Sequence, residues 1–416
     1  MSVGQRPTHA VSAGAPAQPS GLPAGAFVLL DGEEYYRISG FHLLAPFLVN
    51  LASDTDLWMF IASSGGLTAG RINADGSLFP YLTSDQLYDA HHHSGPLTLI
   101  RVEEWVDGAT EVPKLWEPFA ESCGQRAIER NLYKSSNGNR IVFEEIDHDL
   151  GLRFEYRWAA CDAFGWVRSC TLENRGESRR RGRILDGFRN VLPWGAPLSL
   201  YQSASNLVDA YKKSEVDPAT GLGIFALTAG ITDRPEAVEV LRANTVWCCG
   251  LKDMRVHLTL DAIHAFRRGS PIPGRNVLNG RRGNYLAVAS FDLQPGQRQQ
   301  WHLAADAGRD HLQIAELRQM LMSASDVSEQ VETSLRGADE ELRRNVASAD
   351  GLQLTARPEA SSHHFLNVLF NNMRGGVFLR NSDVPVADFL ASLHARNKAV
   401  ADRHGRSLCI QNISRP

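Results

Sequence analysis

The chain of 416 residues has no apolar run approaching the roughly 18–20 residues that a membrane-spanning helix needs, so no membrane partner is expected. It has no cationic excess either. Lys and Arg number 43 against 47 Asp and Glu, a formal net charge of −4, which excludes a nucleic-acid binder driven by phosphate contacts. Cysteine is sparse: Cys123, Cys161, Cys170, Cys248, Cys249 and Cys409 include no C-x-x-C pair, so neither a disulfide framework nor a zinc site is indicated. An apolar leader is missing too. Residues 1–25 are rich in Ala, Pro, Gly and Ser and read as an arm without a packed core, not as a signal peptide, which points to the cytoplasm. Without secretion, the sequon Asn412-Ile413-Ser414 is a chance match. There is no G-x-S-x-G elbow, and Thr220-Gly221-Leu222-Gly223 lacks the third glycine of a dinucleotide loop, so it reads as a turn and no cofactor is expected.

What is present is a globular composition, 43% apolar and 22% charged, on a chain long enough for two domains or more. Leu57–Tyr81 concentrates its character: a buried-strand run at Trp58–Ala62, then Gly65-Gly66, Gly70-Arg71 and Phe79-Pro80-Tyr81. Glycines beside aromatics and an arginine allow a close backbone approach, to a ligand or to another strand. From about Ala26 to Ala304 short strand patterns dominate, among them Leu97–Val106, Leu152–Ala159, Trp166–Leu172, Arg183–Val191 and Tyr285–Leu293. Turn signals such as Asn137-Gly138 and Pro295-Gly296 separate them, and a large antiparallel sandwich is the expected fold. Arg179–Arg181 reads as a solvated turn.

After Asp306 the pattern becomes helical. Asp310–Met322 is helical in composition, and Asp326 with Glu329 has the form of a capped helix start. Ser361–Met373 and Pro385–His404 give two further helices. The sequence is thus mainly β followed by α, and the helical part is too short to close a core of its own, so it is expected to continue or to pack on a partner.

Candidate chemistry is diffuse. Consecutive strand residues point to opposite faces, so His91-His92-His93 reads as a surface loop, not a metal site. Glu144, Glu145, Asp147 and Asp149 crowd one hairpin without being marked as an acid–base pair. His148, His257, His264 and His302 could serve an epimerase, yet nothing singles them out. An aromatic–arginine set remains, suited to stacking on sugar C–H faces and bonding hydroxyls, although most tryptophans of a sandwich belong to its core. From it Arg71, Tyr81, Arg189 and Trp194 are taken as substrate-binding candidates, Trp194 for its place in a Pro-Trp-Gly loop.

Several stretches resemble the N-terminal region of cellobiose-phosphorylase-like proteins, related to glycoside hydrolase family 94. They are Asp56–Arg71 (DLWMFIASSGGLTAGR), Leu78–Tyr81 (LFPY), Leu115–Phe119 (LWEPF), Arg130–Lys134 (RNLYK), Phe143–Gly151 (FEEIDHDLG) and Leu185–Gly195 (LDGFRNVLPWG), with Ser205–Lys212 (SNLVDAYK) and Asn367–Gly376 (NVLFNNMRGG) extending the match. The resemblance implies a galactose-mutarotase-like β-supersandwich, then linker helices, then an (α/α)6 barrel that carries catalysis. On it, 1–25 is an arm, 26–305 the supersandwich, 306–350 linker helices and 351–416 the start of an incomplete barrel. It further implies an oligosaccharide ligand, inorganic phosphate as a co-substrate of the full enzyme, a helical catalytic domain in cis or trans, and a homodimer as one assembly. No family catalytic residue maps onto this chain. The expected function is therefore the carbohydrate-binding, supporting portion of a glycoside phosphorylase or hydrolase, silent by itself. A stand-alone carbohydrate-binding or interaction module docking on a separate catalytic chain is the alternative.

Overall fold

The computed structural model describes residues 22–103, 105–106, 109–110, 113–120, 126–232, 238–324, 326–375 and 386–408. Residues 1–21 of the arm, Cys123, Cys409, Gly376, Pro385 and the Asn412 sequon lie outside them.

Two antiparallel sheets form the body. The larger has eleven strands and runs from the edge Ala24–Leu30 through Glu33–Ser39, Ile128–Ser135, Ile141–Asp147, Leu152–Cys161 and Gly165–Asn174. It continues through Arg298–Asp310, Arg242–Cys249, Gly223–Leu227 and Lys212–Val216 to Val277–Asn279. The smaller has five strands, in the order Arg255–His257, Gly283–Leu293, Arg180–Val191, Gly95–Glu103 and Lys114–Trp116. A three-stranded sheet of Leu48–Leu51, Leu57–Ala62 and Leu67–Arg71 lies beside them.

The period-two alternation of strands decides what each face meets. In Leu152–Cys161, Phe154, Tyr156 and Trp158 enter the core between the sheets, where they join Phe143, Phe188 and Trp301. On the opposite face Ala159 and Cys161 lie beneath the helices His311–Ser323 and Val327–Ser348. Gly95–Glu103 does the same for the smaller sheet: Ile100 and Val102 face the core, while Leu99 packs under a helix with Ile263 and Phe266. Both sheets are thus packed on two sides over part of their area.

Eight helices occur among the described residues: α1 (Ser84–Ala90), α2 (Leu198–Tyr211), α3 (Asp261–Arg268), α4 (His311–Ser323), α5 (Val327–Ser348), α6 (Pro358–Gly375), α7 (Val386–Arg396) and α8 (Lys398–Leu408). The large antiparallel β region is therefore followed by a helical stretch, and the described helices close no barrel. None is long and apolar enough to cross a membrane. Asp310 and Gln313 form a reciprocal capping box at the start of α4, and Asp326 accepts from the Glu329 amide at the start of α5.

The β-rich part also contains α1, α2 and α3, inserted between strands. Two expectations are corrected. Pro385–His404 is not one helix, because the chain breaks at Asn397, whose side chain accepts from the Val400 amide. Arg180 and Arg181 belong to a strand, and Arg179 and Arg181 pair with Asp292 on the neighbouring one.

The glycines of Leu57–Tyr81 bring the chain close to itself. A Cβ on Gly66 would stand 2.0 Å from the Leu87 carbonyl of α1, and one on Gly70 would stand 2.3 Å from that of Gly76.

Candidate functional site

Arg189 and Asn190 organise the site. The pairing of Arg180–Val191 with Gly283–Leu293 shifts register between Phe188 and Val191, and Asn190 takes a left-handed φ of 52°. A bulge of this kind re-aims side chains. Here consecutive residues line two different cavities, parted by the turn His91–Ser94 that follows α1.

The first cavity, about 410 Å3, lies between α1, α2 and the segment 74–82. Tyr81, 39% exposed, stands at it with its ring edge-on to Trp58, centroids 5.7 Å apart. Across from it α2 ends at the cavity. Lys212 is buried there, its ammonium 2.7 Å from Asp209 Oδ1 and 5.2 Å from the centre of the Tyr201 ring. Burial pulls the Lys212 ammonium below its ordinary value, and Asp209 opposes that pull. Burial pushes the Tyr201 phenol up, with Asp209 adding to it, and its hydroxyl finds no partner. Asp75 is not free for a ligand, because it accepts from the Leu198 amide at the start of α2. What remains is an aromatic wall, the buried Lys212 with its half-buried partner Asp209, and the side chains of Asn190, Gln202 and Arg282, a set able to stack on a small polyol and bond its hydroxyls.

The second cavity, about 320 Å3, opens between the two sheets. Through Ser64, His91, Phe119 and Tyr156 it continues into a third space of about 260 Å3. Its floor is a charged pair that joins the sheets. Arg168 donates to Asp186 at 2.6 Å and to the Thr98 hydroxyl at 2.9 Å, and its guanidinium lies 4.3 Å from the centre of the Tyr156 ring. Asp186 also accepts from the Trp301 indole at 2.6 Å. Glu145, fully buried nearby, accepts from Trp116, from the Phe119 amide and from Arg130, each at 2.7 Å. Both of its oxygens are engaged, one by Trp116 and the other by the Phe119 amide and Arg130.

The four sequence candidates fall in different places. Tyr81 lines the first cavity and Arg189 the second. Arg71 lies in neither: it donates to Asp306 at 2.7 Å, Asp56 at 2.7 Å and Asp162 at 2.9 Å, tying the three-stranded sheet to the larger one. Trp194 is half-buried, its ring 2.9 Å from where a Cβ on Gly308 would stand and 3.3 Å from one on Gly76. Sequence reasoning missed Asp209, Lys212 and Asn190. The i,i+3 spacing of Asp209 and Lys212 was the available signal for the first two. The stretches Leu115–Phe119, Arg130–Lys134 and Leu185–Gly195 meet around the second and third cavities, through Glu117, Arg130 and Arg189. His148 and His257 line none of the three, and among the described residues no group of His, Cys, Asp or Glu is arranged to hold a metal ion.

No protein-family model matches the chain, and no curated protein matches it. Among solved structures, a bacterial glucoamylase complexed with acarbose aligns at 9% identity and a TM-score of 0.42, over 78% of this chain and 42% of that one. A polysaccharide lyase aligns at 12% identity and 0.31, over 63% and 32%. A galactose mutarotase-like protein from Clostridium acetobutylicum aligns at 8% identity and 0.29, over 69% and 99%. The chain thus spans less than half the length of the glucoamylase. Likenesses this distant carry no argument about function.

Proposed function

We propose that this chain is the carbohydrate-binding, supporting portion of a carbohydrate-active protein, and that the cavity beside Tyr81 receives one neutral sugar unit. The observation that carries the reading is the pairing, around one space of about 410 Å3, of the half-exposed Tyr81 ring with the buried Lys212 and its partner Asp209. An aromatic face and a fixed array of donors and acceptors complement the two kinds of surface that a pyranose presents. Bond cleavage would require a carboxylic acid and a nucleophile flanking the glycosidic oxygen. The carboxylates traced here, Asp75, Asp186, Asp209 and Glu145, each hold a hydrogen bond or an ion pair. Catalysis is therefore assigned to a helical domain, in cis or in trans, acting as a phosphorylase or hydrolase on glucoside oligosaccharides.

The helices after α5 support that part of the reading. Val386 and Phe389 are exposed on the helix that follows α6, as expected of a helix that meets further helices. The test is calorimetric titration of the 416-residue chain with gluco-oligosaccharides. The expected result is binding weakened about tenfold, or about 1.4 kcal/mol, by Tyr81→Ala and by Asp209→Asn, with no turnover by the chain alone. Equal affinity in the wild type and both variants would remove the cavity from consideration.

A further inference from the structure

The second cavity has a different electrical character from the first. Four guanidiniums reach it and its continuation, and three of them have a carboxylate of their own. Arg130 pairs with Glu145 at 2.7 Å, Arg168 with Asp186 at 2.6 Å and Arg267 with Glu117 at 2.7 Å. Arg189 has none among the described residues. It is only 9% exposed, and its terminal nitrogens donate to the backbone carbonyls of His91, His92, Ser94 and Pro96. Its Nε–H is buried without an acceptor. Carbonyl dipoles solvate a guanidinium but do not cancel its charge. Burial lowers Arg189 to about 10, so it is still a cation at neutral pH. Glu117 on the cavity wall acts on this cation from beyond ion-pair distance, but it is already paired with Arg267, so an entering anion relieves the cost of a poorly solvated guanidinium.

The cavity is also not a bare ion hole. Phe119 lines the space that Arg189 and Arg168 border, and about 320 Å3 exceeds what an isolated oxyanion fills. We propose that this cavity binds an acidic sugar, its carboxylate or phosphate group directed at the Arg189 wall and its ring against Phe119. The inference does not depend on the first cavity binding a neutral sugar.

The experiment is titration of the full chain with glucuronate, glucose 6-phosphate, inorganic phosphate and methyl glucoside, at low and at high salt. Tighter binding of glucuronate or of glucose 6-phosphate tells which oxyanion is preferred. At least one of them should bind about tenfold more tightly than both methyl glucoside and inorganic phosphate, and added salt should weaken it. Arg189→Gln should lower that affinity at least about tenfold. Because Arg189 also holds the turn 91–96, a second variant protects the test. Ser64→Asp places a carboxylate in the same cavity without touching Arg189 or its carbonyl partners; it gives up the Ser64 hydroxyl's bond to the Tyr88 carbonyl, so its melting curve is recorded beside the titration, and it should abolish anion binding in the folded chain. Tyr81→Ala, in the other cavity, should leave anion binding unchanged. Methyl glucoside or bare phosphate binding as tightly as the acidic sugars, or wild-type affinity in Ser64→Asp, would overturn the proposal.

Discussion

The sheets and the helices that follow them hold together by different means. Between the sheets Phe154, Trp158, Phe188 and Trp301 pack in one continuous cluster, and the Arg168–Asp186 pair crosses that cluster from one sheet to the other. The α4–α5 layer lies on the outer face of the larger sheet through Leu317, Val331 and Leu335, with Arg157 bound by both Glu332 oxygens. Next comes α6, whose Phe365 and Leu369 touch Ala52, Leu342 and Val346. Attachment thins along the chain. A region held through a small cluster can open without the rest, because local stability follows local burial.

The largest expected effect tests the inter-sheet pair. Asp186→Ala leaves Arg168 buried without its counter-ion and takes an acceptor from Trp301, so a loss of about 3–5 kcal/mol is expected. It should appear as a lower urea midpoint for all probes at once, and a loss below about 1 kcal/mol would mean that the pair does not bind the sheets. Phe365→Ala should cost about 3 kcal/mol in principle. The comparison predicts that the loss stays local: hydrogen exchange should quicken in α6 while Leu152–Cys161 stays protected, and equal quickening in both would break it.

Smaller effects sharpen the middle layer. Asp310→Ala removes one half of the capping box and should cost about 1 kcal/mol, read as a modest fall in melting temperature. His302 gives a pH dependence. It is buried between Ser169, at 2.9 Å, and Glu332, and burial holds it below its ordinary 6.5 despite the pull of Glu332. The unfolded chain therefore takes up a proton that the folded chain refuses. This contribution is fully present above pH 6.5 and is lost as pH falls below it toward the folded value. Melting curves from pH 8 to 5 should slope accordingly, and His302→Gln should flatten them.

Local chemistry made some of this legible. Asp310 and Asp326 announce their helices, because an acidic cap with a partner three residues on is a short-range device. Strands such as Leu152–Cys161 announce themselves by length and apolar content. The helices α1 and α2 did not: α1 has only seven residues, and α2 is interrupted by non-helical backbone at Ala204. The residue types at Tyr81 and Arg189 were readable, but their assignment to two cavities was not. It depends on a register shift at Asn190, which arises from pairing with a strand nearly a hundred residues away. Arg71 shows the same limit, since its acceptor Asp306 lies far along the chain.

One edge of the larger sheet has a consequence for handling the protein. Ala24–Leu30 carries no charge and no proline, and Leu29 is 72% exposed, whereas the opposite edge, Val277–Asn279, has three residues. Among the described residues no strand pairs with its outer side, and an uncharged edge accepts further strands. Self-association should thus be one-sided and grow with concentration, visible as rising light scattering, and a single lysine at Ala26 should suppress it while leaving the melting temperature nearly unchanged.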